Sequence, residues 1–157
     1  MLPKNCTKRN HEYRIHEPLS NKQWLNLYFK KHCNNTGIQI WTVGLCISNS
    51  VKGANKWFDT NGRYYRKYTG QTGKCGLEGL RKALIYICEF ADNLKQNEEF
   101  HIEWHDEKRK YAYRYLLKCN FYVDEENKFY HTRNLSYWEP NDTSTVYSKK
   151  KEKKPNE

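Results

Sequence analysis

Three glycines inside a cluster of cations mark the stretch of this sequence best equipped for chemistry. Gly70, Gly73 and Gly76 punctuate GQTGKCG, and Arg63, Arg66, Lys67, Lys74, Arg81 and Lys82 surround them against one acid, Glu78. A glycine turn leaves backbone N–H groups uncovered, and the first N–H groups of a helix have no internal partner. The helix dipole adds partial positive charge at the same end. The pattern fits an anion site at a helix N-terminus, or an ordinary loop followed by a core helix.

Other residue sets could do chemistry of their own. His101, Glu103 and His105 alternate, so on a strand they would face one side, as metal ligands or as a polar surface. No fourth ligand is close in sequence, and no metal is expected. Glu103 and Asp106 are candidate general bases, although Asp106 reads more readily as a helix cap. His32 and Cys33 suggest a thiol–imidazole pair, but adjacent side chains seldom point together. Tyr64, Tyr65 and Tyr68 around Arg66 and Lys67 could stack on nucleic-acid bases or form a half-buried strand.

These residues need elements to position them. Leu77, Leu80, Leu84, Ile87, Cys88, Ala91 and Leu94 recur at helical spacing and predict a long amphipathic helix after the glycines. Upstream, residues 11–16 predict a short strand. Ser20 and Gln23 have the spacing of a capping box and predict a helix to about Cys33. The nearly continuous apolar run Ile38–Ile47 predicts a strand buried on both faces. Residues 48–55 read as a loop, KWFD (56–59) as a strand, and Asn61–Gly62 as a hairpin turn to a strand over 63–68. Downstream, FHIEW (100–104) predicts a strand and Asp106 the cap of a helix to Cys119. Residues 121–123 and 128–132 predict a closing hairpin. Strands interleaved with helices predict an α/β (α+β) fold, a single mixed, mostly antiparallel sheet flanked by helices. The domain is expected over residues 11–140, with basic, poorly ordered tails at 1–10 and 141–157.

Composition narrows the function classes. The 157 residues carry a net charge of +10, and 13 Tyr, 6 Phe and 5 Trp can supply a core despite low mean hydropathy. Charge concentrates at the ends. Residues 1–35 hold seven Lys or Arg against two acids, and residues 143–157 hold five against two. Residues 36–142 hold sixteen against fourteen, which predicts weak nucleic-acid binding through the tails. No run is long enough to span a membrane, and the first residues lack the apolar stretch of an export signal. The expectation is an intracellular, cytoplasmic protein whose six cysteines are free thiols.

The order of elements resembles the GNAT acyl-CoA N-acyltransferase superfamily. EFHIEWHDEKRKYAYRYLLKCNFYVDEENKFYHTR, residues 99–133, resembles that family's fifth strand, fourth helix and closing hairpin. Asn120–Phe121 stands where the family has a Gly-Phe entry to its sixth strand, and Asn can take the left-handed conformation that Gly would. GQTGKCG resembles the pyrophosphate loop, although the residue fourth from Gln71 is Lys74 where the family has Gly. The resemblance implies acetyl-CoA as cofactor, held by Gln71, Thr72, Gly73, Lys74, Cys75, Gly76 and Arg81. It implies an amine acceptor of unknown identity, Glu103 as general base, and Tyr115 as the acid that protonates the leaving thiolate. Leu116 holds the family's spacing for that acid, and Tyr115 lies one residue earlier. The alternative resemblance is to a ribonuclease H-like fold, with WTVGLCI as its first strand and Val43 in place of the metal-binding Asp. Glu78 and Asp106 would be its remaining carboxylates, and the implied function is a non-catalytic nucleic-acid- or protein-binding module.

Overall fold

The computed structural model describes residues 6–9, 12–33, 37–60 and 76–133. They form a mixed α+β protein of two compact units. One comprises the described residues up to Lys31 and from Val43 to Tyr86, the other those from His32 to Thr42 and from Ile87 onward.

In the first unit, β1 (Cys6–Arg9), β2 (Glu12–Pro18), β3 (Trp24–Cys33) and the second half of β4 (Gln39–Ser48) follow one another in the sheet. β1 lies within the stretch read as a disordered tail. β2 and β3 pair antiparallel, with Arg14 opposite Tyr28, Ile15 opposite Leu27 and His16 opposite Asn26. β3 corrects the expected helix over residues 20–33. The capping-box residues build a hairpin instead. Leu19 N–H donates to the Gln23 carbonyl at 2.7 Å, and Lys22 sits at a φ of 71°. Asn21 accepts from the Gln23 N–H at 3.0 Å. A turn that ends on a left-handed residue matches the twist of the two strands. Leu25 to Phe29 are all buried, so both faces of β3 are covered and the two-residue alternation is hidden.

One face of this sheet carries α1 (Val51–Asp59), where a loop and a strand were expected. Ser50 caps it, its hydroxyl accepting from the Gly53 N–H at 3.0 Å. Ala54 packs with Tyr28 and Cys46, and the Phe58 ring stacks on Tyr28 with centroids 4.2 Å apart. The chain therefore leaves β4 into a helix, which corrects the strand expected over residues 56–59; the turn expected at Asn61–Gly62 and the strand over residues 63–68 lie outside the described residues. The opposite face meets the first part of α2 (Gly76–Ala91), the expected long helix. Gly79 lets it approach closely, since a Cβ there would lie 2.6 Å from Ile47 Cδ1.

The second unit holds the first half of β4, then β5 (Glu98–Glu103), β7 (Phe129–Thr132) and β6 (Tyr122–Asp124), in that sheet order. β4 and β5 run parallel from Gln39–Glu98 to Thr42–His101. β7 pairs antiparallel with both β5 and β6. Asp106 caps α3 (Glu107–Ala112), which tightens into a 3-10 helix over Tyr113–Cys119. Phe90 stands edge-on to Trp41 and to Phe100, with centroids 5.0 and 5.2 Å apart, and Phe121 and Leu116 are buried in the same unit. Cys88 and Cys119 form a disulfide with Cα atoms 5.9 Å apart, which corrects the expectation of free thiols for this pair. Cys46 remains a free, buried thiol, pushed up to about 12 by burial. No described helix is long and apolar enough to cross a membrane.

Candidate functional site

The glycine stretch ends where the described helix begins. Gly76 is the first residue of α2. Gln71, Thr72, Gly73, Lys74 and Cys75 lie outside the described residues, as do Tyr64, Tyr65 and Tyr68. Arg81 is exposed on α2. The acid of the first turn is already engaged. Glu78 accepts from the Ser20 hydroxyl at 2.7 Å and from its backbone N–H at 3.3 Å. Lys82 bridges Glu17 and Glu78 at 3.1 and 3.4 Å. Glu78 thus ties α2 to the β2–β3 turn and is not placed as a metal ligand.

The residues assigned to catalysis sit in the second unit. Glu103 ends β5 and is exposed, opposite Phe129. Tyr115 is 44% exposed on the 3-10 helix, whereas Leu116 beside it is fully buried. One residue of such a helix turns about 120°, so Tyr115 and Leu116 serve opposite purposes. Among the described residues no hydrogen bond joins Glu103 to Tyr115.

Just beyond Glu103, a cleft of about 310 Å³ opens at the carboxyl end of β5, lined by Trp104, His105, Asp106, Glu107, Glu125 and Lys128. Ligands of open sheets commonly bind outside the carboxyl ends of strands. Asp106 is committed to its cap, accepting from the Arg109 N–H at 2.7 Å, and that bond holds its carboxyl below the usual range. Glu125 pairs with Lys110 at 2.6 Å. Glu103 is not part of the lining.

The alternation His101, Glu103, His105 does not persist, because β5 ends at Glu103 and His105 lies in the cleft. Among the described residues, no three His, Cys, Asp or Glu side chains are placed to hold a metal ion. His101 instead faces His131, which sequence reasoning missed. The two are direct cross-strand partners, and His101 stacks on Phe129 with centroids 4.4 Å apart. Glu99 accepts from or pairs with His101 Nε2 at 3.2 Å. Burial works to raise the Glu99 carboxyl, but the His101 hydrogen bond and the nearby His101, Arg133 and His131 charges hold it below its ordinary value. A carboxylate-oriented imidazole of this kind can relay a proton.

The first unit holds a buried polar network that no motif announced. Arg14 pairs with Glu12 and Asp59, each at 2.8 Å, and with Asn55 at 3.2 Å. Its guanidinium lies 5.3 Å from the ring centroids of Tyr28 and Phe58. Asn26 donates to Ser48 Oγ at 2.8 Å and to the Cys46 carbonyl at 3.0 Å, and its side-chain oxygen meets His16 Nδ1 at 2.7 Å. Burial, with the Arg14 charge, outweighs the Asn26 bond and lowers the His16 pKa below its ordinary 6.5. The unfolded chain therefore binds the proton more readily than the folded one. Stability is fully present above about pH 6.5 and falls as the pH drops through the lowered folded value. Urea midpoints measured between pH 7.5 and 5 should show this decline, and His16→Gln should flatten it. An equal slope in both proteins would contradict the assignment.

The chain matches no family model, no curated protein and no solved structure.

Proposed function

We propose that this protein is an acyl-CoA-dependent N-acyltransferase-like domain that moves an acetyl group to an amine. One observation carries the reading. Asn120 adopts the left-handed conformation, at a φ of 71°, and leads directly into buried Phe121 and β6. That is the backbone role expected of it if Asn120–Phe121 stands for the family's Gly-Phe entry. The β6–β7 hairpin beside β5 supports the same reading, as the closing hairpin of the resemblance. The missing N-terminal helix counts against it, since that helix was part of the resemblance. The second half of the chain therefore bears the argument.

In this account Gln71, Thr72, Gly73, Lys74, Cys75 and Gly76 hold the pyrophosphate through backbone N–H groups, with Arg81 adding charge. Attack on a thioester needs a neutral amine, and Glu103, exposed at the end of β5, takes its proton directly or through water. Tyr115 returns a proton to the departing thiolate. The test is release of the coenzyme A thiol from acetyl-CoA in the presence of a panel of primary amines. The account expects amine-dependent release that Glu103→Gln slows by about a hundredfold or more. Thiol release that no amine accelerates, or that Glu103→Gln leaves unchanged, would overturn the assigned chemistry.

A further inference from the structure

Averaging residues 36–142 hides a concentration of the +10 charge inside the body of the chain. Within that body, residues 107–119 (EKRKYAYRYLLKC) hold five Lys or Arg against one acid, so the rest of the body has more acids than cations. The structure sorts these five. Arg109 is paired with Asp106 at 2.6 Å and Lys110 with Glu125 at 2.6 Å. Lys108, Arg114 and Lys118 form no salt bridge among the described residues, although the Lys108 charge acts on Asp106 from a distance. They share their ridge with the large side chains that the second unit leaves outside its core. Tyr111 is 66% exposed, Tyr115 44% and Leu117 50%. The Arg114 guanidinium lies over the Tyr111 ring at 3.8 Å and donates to the Tyr111 carbonyl at 3.0 Å. Positions 108, 111, 115 and 118 follow one another at spacings of three and four, which sets cations and rings along one side of α3 and the 3-10 helix.

We infer that this ridge, formed by Lys108, Tyr111, Arg114, Tyr115 and Lys118, binds a single-stranded nucleic acid. Tyr115 and the Tyr111 face turned away from Arg114 offer flat surfaces to unpaired bases, and the Lys108, Arg114 and Lys118 charges meet the phosphates between them. The two tyrosines are four residues apart across the end of α3 and the start of the 3-10 helix, a rise of roughly 7 Å, which suits bases splayed along an extended strand. A paired duplex hides its base faces, so the ridge selects unpaired strands. A purely acidic protein partner would use the cations and leave both rings without a role.

The test is fluorescence anisotropy of a labelled ten-nucleotide oligothymidylate with the full chain, because the basic ends also attract phosphates. Tyr111→Ala with Tyr115→Ala should weaken binding about tenfold or more while leaving affinity for heparin within about twofold. Lys108→Gln, Arg114→Gln and Lys118→Gln together should lower the slope of log affinity against log salt by about 2. A duplex of the same length should compete less well than the single strand. The inference fails if the tyrosine variant binds the oligonucleotide within twofold of wild type, or loses heparin binding in parallel. It also fails if the salt slope is unchanged, or if duplex or polyglutamate competes as well as the single strand.

Discussion

Phe100→Ala should cost about 3–5 kcal/mol of folding stability, the range for deleting a buried phenylalanine. Phe100 is 0% exposed and stands at the centre of the second unit, edge-on to Phe90 and 5.9 Å in ring centroids from Phe121. Both neighbours are themselves held. Phe90 lies on α2 two residues after the disulfide-bonded Cys88, and the Phe121 N–H donates to the Leu116 carbonyl at 3.2 Å. A site bounded by such fixed groups relaxes poorly, so the cavity remains and its cost adds to the lost transfer free energy. Domains are stable by only about 5–15 kcal/mol, so the variant should be close to unfolding at 25 °C. Urea denaturation measures the loss. Leu117→Ala, at an exposed position of the same unit, should stay within about 0.5 kcal/mol of wild type. A Phe100→Ala loss below 1 kcal/mol would show that the aromatic cluster is not the core of this unit.

Arg14→Met should cost about 3 kcal/mol, through charge and not through volume. The methionine can still fill the space between Tyr28 and Phe58. The Glu12 carboxylate, 14% exposed, would lose its cation and could not be fully hydrated. Asp59 is 56% exposed and can be, so most of the penalty should fall on Glu12. Removing one partner of a buried pair costs more than replacing both by apolar groups. Adding Glu12→Leu to Arg14→Met should therefore recover much of the loss, and a double-mutant cycle isolates that coupling. Strictly additive losses would contradict the network drawn for this face.

Where local chemistry had one outcome, the sequence could be read directly. Asp106 had the spacing of a cap and is one. The three- and four-residue recurrence from Leu77 to Leu94 had no strand interpretation, and α2 runs from Gly76 to Ala91. Asn120 was the residue able to replace glycine in a left-handed turn, and it does so. The failures came where one pattern fitted two structures. Ser20 and Gln23 satisfy a capping box, but Asn21 and Lys22 satisfy a hairpin, and the sheet on either side selected the hairpin. The run Leu25–Phe29 lacks alternation because helices cover both its faces in the first unit, which removes the usual strand signature. Asn61–Gly62 drew KWFD into a hairpin, although Ser50 was a good cap and Ala54, Trp57 and Phe58 have helical spacing. The pairing of Cys88 with Cys119 depends on where α2 and the 3-10 helix meet, and no local motif encodes it.

The candidate site was legible in the same uneven way. Glu103 and Tyr115 fall on the expected elements, a strand end and the helical segment after Asp106. Their relation to the cleft beyond Trp104 depends on where β5 stops. His131 became visible only through its register opposite His101, because cross-strand neighbours are set by pairing and not by sequence spacing.

The central proposal is that the glycine-rich segment before α2 holds the pyrophosphate of an acyl-CoA. Calorimetric titration of the full chain with acetyl-CoA tests it without requiring the acceptor amine. The account predicts saturable binding with a Kd below about 1 mM, equivalent to about 4 kcal/mol or more, and at least tenfold weaker binding when Gly73 and Gly76 are both replaced by valine. No saturable binding at millimolar acetyl-CoA, or equal binding by the valine variant, would contradict it.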